Sequence, residues 1–374
     1  MAREVGSSSM PHLTAFPEAL GTGIIINTAK PVGSGLRARM GHLIEAYEST
    51  LSRFRDDSIP AAMAESDRGG SFDFPEYCQG LFDLYDCLYL ATGGALDPAV
   101  GADLVRLGYG RDMTFRMSAD AVDHLGRIRG RATWGDDVER VGTTLRTTGS
   151  VQLDFGALGK GYLVDLLAGI LEHAQGTYRV GDYLIDAGGD MRIHAPKAVS
   201  IAMEDPDDLT KAVGLVSMVS GSLCASAPSR RRWTAPRKDG AAGGLMVLHH
   251  IVNAIDGWPV RRVEATWVVV GRDGNDGEQG AGASICNQGQ CSPERSGRDW
   301  TPDRVPRKGQ NPGKGKDGRL ADLYPTALAD GLSTALFLVD ANDLAEHFSF
   351  ACATIDDNRR AVVSRGFPGT IFTG

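Results

Sequence analysis

The chain has 374 residues, 42% of them hydrophobic, enough to bury a substantial core as one large domain or two ordinary ones. Its formal net charge of −8 leaves no overall basic excess to neutralise nucleic-acid phosphates or grip an anionic membrane surface, so neither broad nucleic-acid binding nor membrane-surface binding is expected. No stretch approaches the roughly 18 apolar residues of a bilayer span, and the start, Met1-Ala-Arg-Glu-Val-Gly, lacks the apolar core of a signal peptide, which points to a cytoplasmic location.

Residues 1–14 read as a flexible N-terminus. Leu36, Met40, Leu43, Ile44, Tyr47, Leu51 and Phe54 fall at helical spacing, which predicts a helix over 36–54. A second is predicted over 75–91, with Pro75 near its start and Cys78, Leu81, Phe82, Tyr85 and Leu88 on one face. A third begins at Lys160 and carries Tyr162, Leu163, Leu166, Leu167 and Ile170; a fourth runs from about Ala327 to Val339. Between them lie the strand-like runs 183–186, 199–203 and 266–270, and the tail 348–373 reads as short strands joined by turns. Helices and strands interleave without strict βαβ alternation, so the expected class is mixed α+β, with mainly antiparallel sheets and packed helices.

The segment 271–320 is out of character. It is rich in Gly, Pro, Asn, Gln and mixed charge, with almost no aliphatic residues, and cannot bury enough apolar area to offset the entropy of ordering. It reads as a disordered surface insertion, with an unspliced intron or a sequence error as the alternative. Six cysteines are scattered along the chain and are expected as free thiols. Cys286 and Cys291 have no second Cys/His pair beside them to complete a zinc site.

Several segments carry chemistry. Asp154-Phe-Gly-Ala-Leu-Gly-Lys-Gly161 puts three glycines and a lysine at the start of a helix, where backbone N–H groups are free for an anion. A Walker A loop would need glycine at 154 and Ser or Thr at 161, so that motif is excluded. A phosphate cradle of another kind and a plain Gly-rich turn into a helix both remain open. In Ala329-Asp-Gly-Leu-Ser-Thr334, Asp330 and Thr334 lie four apart and share a helix face. A carboxylate and a hydroxyl so placed suit a hard cation such as magnesium; the alternative is an early-helix acid favoured by the macrodipole. His250 precedes the turn Asn253-Ala-Ile-Asp-Gly257, at the end of a probable strand where functional groups concentrate, although a satisfied core histidine is equally open. His12, His42, His124, His173, His194 and His347 show no metal-ligand spacing and read as structural or surface residues.

In chain order these segments are Ala19-Leu-Gly-Thr22, Leu51-Ser-Arg-Phe54 with Asp57-Ser58, Gly94-Ala-Leu-Asp-Pro-Ala-Val-Gly101, and Asp154 to Tyr162 with Asp165. They continue with Asp186-Ala-Gly-Gly-Asp190, His250-Ile-Val-Asn253, Thr266-Trp-Val-Val-Val270 and Ala329-Asp330 with Thr334. The series resembles the ApbE family of FAD:protein FMN transferases, over nearly the whole chain outside 271–320. The resemblance implies a T-fold-like single catalytic unit made of 15–270 and 321–374. It also implies flavinylation, a post-translational modification in which the FMN half of FAD passes to a Thr or Ser hydroxyl of a target flavoprotein. AMP leaves, and magnesium is required.

Carried over residue by residue, the resemblance puts Leu20 and Phe54 in the flavin pocket, Leu20 standing where the family usually has Met. Leu96, Asp97 and Pro98 touch FAD, Asp154 and Lys160 bind it around the adenosine and diphosphate, and Val252 sits against it beside His250. The Ala157 carbonyl, Asp330 and Thr334 hold the magnesium, with Ser333 outside them. His250 is the candidate to orient or deprotonate the incoming hydroxyl. Two places depart from the family. Asn253-Ala254 stands for the usual Asp-Pro, with Asp256 displaced by three positions. Ala225-Ser-Ala-Pro-Ser229, followed by Arg230-Arg-Arg-Trp233, replaces a Thr-Ser-Gly-Asp-Tyr segment. Both lie at the expected rim, so magnesium-dependent hydrolysis of FAD to FMN and AMP, or a non-catalytic flavin-binding module, stand as alternatives.

Overall fold

The computed structural model describes residues 2–4, 9–176, 179–236, 244–271 and 320–372. The expectations placed on 271–320, those for Cys286 and Cys291 included, lie outside the described residues except at Gly271 and Leu320.

The chain opens with β1 (Ala2–Glu4), β2 (His12–Phe16) and β3 (Ile24–Thr28), so strands already form within the expected N-terminal tail. Next come α1 (Ser34–Leu51), α2 (Ile59–Glu65), β4 (Gly70–Asp73) and α3 (Gln79–Ala91). The short helices α4 (Gly101–Arg106), α5 (Ala121–His124) and α6 (Trp134–Asp137) lead to β5 (Glu139–Val141) and β6 (Thr144–Thr147). After α7 (Gly159–Glu172) come β7 (Tyr183–Asp186), β8 (Asp190–Glu204) and β9 (Ala212–Ser226). The strands β10 (Arg232–Pro236), β11 (Leu245–His249) and β12 (Val263–Val270) follow. The last elements are α8 (Leu320–Leu323), α9 (Pro325–Ala335), α10 (Ala341–Ala345), β13 (Ala351–Asp356), β14 (Ala361–Val363) and β15 (Gly369–Ile371).

The architecture is the expected mixed α+β one. A ten-stranded antiparallel sheet runs β14-β13-β12-β9-β8-β7-β3-β2, with β1 on β8 and β15 on β9. A hairpin of β10 and β11 and a small sheet β4-β6-β5 stand apart from it. Successive residues of a strand face opposite sides, and β12 uses both: Val268 and Val270 join one core, while Ala265, Trp267 and Val269 join a second. Helices α1, α3, α7 and α9 bury their apolar stripes in the first core. In α1 that stripe is Leu36, Met40, Ile44, Tyr47 and Leu51, at the spacing read from the sequence. Among the described residues, no helix is long and apolar enough to cross a membrane.

Helix boundaries differ from expectation in instructive ways. The first helix stops at Leu51, because Ser52 is already extended (φ −76°, ψ 114°), which frees Arg53 and Phe54 from the helix. The expected helix over 75–91 begins with a tight 3₁₀ turn, Glu76–Cys78. The run 199–203 proves to be the end of the fifteen-residue β8, whose first half already alternates, with Met191, Ile193 and Ala195 in the second core, and is set off by a register shift between His194 and Val199.

Candidate functional site

The two segments singled out in the sequence meet. Asp165, on the buried face of α7, accepts hydrogen bonds from the backbone N–H of Thr326 (2.9 Å) and Ala327 (2.8 Å), and so docks the first turn of α9. The crossing is tight. A Cβ on Gly161 would lie 2.4 Å from the Thr326 carbonyl oxygen and 2.9 Å from the Asp330 Cβ, so only glycine allows this approach. In return, the Gly161 N–H donates to Asp330 Oδ2 at 3.0 Å.

Lys160 reaches into the same place. Its Nζ donates to Asp190 and lies 3.4 Å from each oxygen of Asp330. Both carboxylates are 1% exposed, whereas the lysine side chain is 33% exposed and keeps a path to solvent. Burial pulls the Lys160 ammonium toward a lower pKa, but Asp190 and Asp330 outweigh it and hold it charged. Burial, then the neighbouring Asp190, pushes the Asp330 carboxyl up, against Lys160 and the Gly161 N–H. Asp190 Oδ1 is buried with no hydrogen-bond partner among the described residues. Beside this pair, the Thr334 hydroxyl faces the Ala157 carbonyl oxygen at 3.4 Å. Two carboxylates share one lysine, and the remaining donors are oxygens: this set fits a hard cation. Among the described residues no cluster of three or more His, Cys, Asp or Glu forms a metal cage, so a cation here depends on carbonyl and hydroxyl oxygens as well. The Ser333 hydroxyl is committed elsewhere. It meets Ser226 Oγ at 2.6 Å and donates to the Asp330 carbonyl at 2.8 Å, bracing α9 against β9.

A second group surrounds Asp154. Its Oδ1 accepts from Gly156 N–H (2.6 Å), closing the Gly-rich turn, and its Oδ2 takes the Arg53 Nε–H. The Arg53 guanidinium lies 4.2 Å from the ring centre of Phe54 and 5.1 Å from that of Tyr109. Tyr109 in turn meets Trp233 at 5.9 Å and His250 at 6.3 Å, so one aromatic wall joins Phe54 to His250.

A third group fixes 96–98. Asp97 is wholly enclosed: Oδ1 accepts from Ala99 N–H (2.7 Å) and Trp134 N–H (3.2 Å), and Oδ2 faces Arg131 at 3.3 Å. Arg131, also buried, pairs with Asp103 (2.8 Å) and donates to the Ala254 carbonyl at 2.8 Å. The Asp97 side chain is thus taken up in structure, and backbone of this segment faces the turn through the 2.6 Å bond from Asp154 N–H to the Pro98 carbonyl. The same arginine anchors the rim. There Asn253 Oδ1 accepts from Ile255 N–H at 2.9 Å, the turn-closing bond that an aspartate would make, so the departure from Asp-Pro preserves the turn.

Leu20 is in the left-handed region at φ +54°, held by its N–H on Glu48 at 2.9 Å, and packs against the first core. Val252 is buried against the cluster that contains Trp233 and Leu248.

The two histidines differ. His249 Nε2–H donates to the Val260 carbonyl (2.6 Å) while its Nδ1 accepts from Ile251 N–H (3.3 Å), which fixes the neutral tautomer. Burial lowers its pKa to about 4. Between about pH 4 and 6.5 the unfolded chain therefore binds more protons here, so the contribution is present above 6.5 and lost as pH falls toward 4. The loss is roughly 3 kcal/mol. His249→Gln should flatten the rise of denaturation free energy over that window, and an unchanged slope in urea titrations would refute the assignment. His250 Nδ1 is buried with no hydrogen-bond partner among the described residues, and burial lowers its pKa to about 4 as well.

Arg53, Tyr109, Trp233, Arg131 and Asp190 were not singled out in the sequence. Arg53, Asp190 and Trp233 lay inside the family-like segments; Tyr109 and Arg131 had no local signal.

The fold and site define a mixed α+β protein with a Gly-rich turn closed on an acidic helix. The chain belongs to the ApbE family, which it matches over residues 20–283. It is 27% identical over 236 residues to the FAD:protein FMN transferase of Treponema pallidum (strain Nichols); that stretch covers 58% of this chain and 61% of the relative. Among solved structures it is similar to the flavin transferase ApbE from Vibrio cholerae, at TM-score 0.63 and 17% identity, over 98% of this chain and 99% of that one. It is also similar to the ApbE protein of Thermotoga maritima, at TM-score 0.65 and 17% identity, over 95% and 98%.

Proposed function

We propose that the protein transfers the FMN half of FAD to a Thr or Ser hydroxyl of a target flavoprotein and releases AMP, with magnesium bound. One observation carries the reading: the Gly-rich turn and the acidic helix, 170 residues apart, converge on Lys160, which lies 3.4 Å from both Asp330 oxygens. Magnesium on Asp330, Thr334 and the Ala157 carbonyl would supply Lewis-acid polarisation of the diphosphate. Lys160 and the N-terminus of α7 add positive potential for its oxygens. The acceptor oxygen forms a bond to the FMN phosphorus, the bond to the AMP phosphate breaks, and the hydroxyl proton passes to a base. His250 suits that role. Its Nδ1 is buried with no protein partner among the described residues and is open to take the proton, while burial, which lowers its pKa, makes it a weaker base than a free imidazole.

The test is incubation with FAD and magnesium, with and without a flavin-acceptor domain. AMP release that needs the acceptor, with in-gel flavin fluorescence on it, supports transfer. AMP without acceptor supports hydrolysis instead, and tight FAD binding with no AMP supports a binding module. His250→Ala should slow transfer by about 10²- to 10⁴-fold while FAD binding stays near wild type; near-normal transfer would make His250 merely structural.

A further inference from the structure

We propose that Arg53 binds the flavin ring of FAD, donating from Nη2 to a carbonyl oxygen on the edge of the ring; this deepens the flavin-transfer reading and rests on it. The side chain is only 9% exposed, yet Nη2 has no hydrogen-bond partner among the described residues. A buried charged donor left unmet is costly, and such a group in a site marks where a ligand acceptor completes it.

The surroundings decide the kind of acceptor. Nε is already bonded to Asp154, so the guanidinium charge is neutralised by a carboxylate of similar burial. A phosphate oxygen placed there would face that carboxylate, whereas a neutral carbonyl would not. The diphosphate has its own cation in Lys160 at the start of α7. The guanidinium carbon also lies 4.2 Å from the Phe54 ring centre and 5.1 Å from that of Tyr109, at the head of an aromatic cluster that continues to Trp233 and His250. A planar tricyclic ring stacks on such a cluster and presents carbonyl oxygens at its edge, the geometry a guanidinium fork reads. Arg53 thus ties together the residue that closes the Gly-rich turn and the surface suited to the flavin.

Full-length protein carrying Arg53→Lys or Arg53→Gln tests this. Both variants keep a donor for Asp154 but lose the planar fork. Affinities for FAD, FMN and ADP are measured by calorimetry with magnesium, alongside thermal unfolding. FAD and FMN should each bind about 10- to 100-fold more weakly, with ADP within twofold and the unfolding midpoint little changed. Loss of ADP affinity with FMN affinity retained would place Arg53 on the diphosphate and overturn the proposal. Unchanged binding of all three would reduce Arg53 to packing. Wild-type protein that binds neither FAD nor FMN would overturn the flavin reading itself, and this inference with it.

Discussion

Asp330→Asn should cut AMP release from FAD by at least about a hundredfold while the protein remains as stable as wild type or becomes more so. The substitution is close to isosteric. The asparagine oxygen still accepts the Gly161 N–H, now made by Asp330 at 3.0 Å. What disappears is one negative charge, buried at 1% exposure beside Asp190. Burial and Asp190 raise the Asp330 pKa, so holding it ionised costs the fold stability that its removal returns. Function runs the other way, since the magnesium that Asp330 is proposed to hold would need that charge. Activity and stability thus part company, as they do where a site is kept strained for its chemistry. AMP quantified by chromatography and thermal unfolding on the same preparations decide the matter. Wild-type AMP release would remove Asp330 from the reaction, and a loss of stability parallel to the loss of activity would make it a structural residue.

What the sequence revealed follows from how local each signal is. The face of α1 and the start of α7 are written in spacing and glycine placement within a few residues, and both were legible. The meeting of Lys160 with Asp190 and Asp330 was only half legible. Asp330 and Thr334 share a face by helical geometry alone, but that Asp190 joins them depends on β8 lying under α7, a long-range fact. The same holds for the rim. Asn253 looked like a loss against the family pattern, yet its side chain makes a turn bond that Asp or Asn serves equally well. Asp97 shows the same dependence on distance: its carboxylate accepts from Ala99 close by, but its bonds to Trp134 and Arg131 join residues more than thirty positions away. Tyr109 and Trp233, 124 positions apart in the numbering, come together only when the β10–β11 hairpin folds back on the loop after α4.

Lys160→Met should destabilise the ligand-free protein by about 3–5 kcal/mol, the scale of a buried ion pair broken on one side. Nζ holds Asp190 and both oxygens of Asp330, and no other lysine or arginine among the described residues forms an ion pair with either acid. Methionine fills the same stem volume, so packing is largely kept and the loss is electrostatic. Two enclosed carboxylates then face each other uncompensated, and any cation that binds them recovers stability by mass action. Magnesium should therefore raise the urea midpoint of the variant by more than it raises that of wild type, while FAD affinity stays low because the diphosphate has lost its lysine. A variant as stable as wild type would show that the acids are neutral without Lys160. An equal magnesium response in both proteins would show that the cation does not sit on this pair. The expected result gives Lys160 two roles from one geometry: it draws the diphosphate, and it holds together two acids that would otherwise repel each other and part α9 from the sheet.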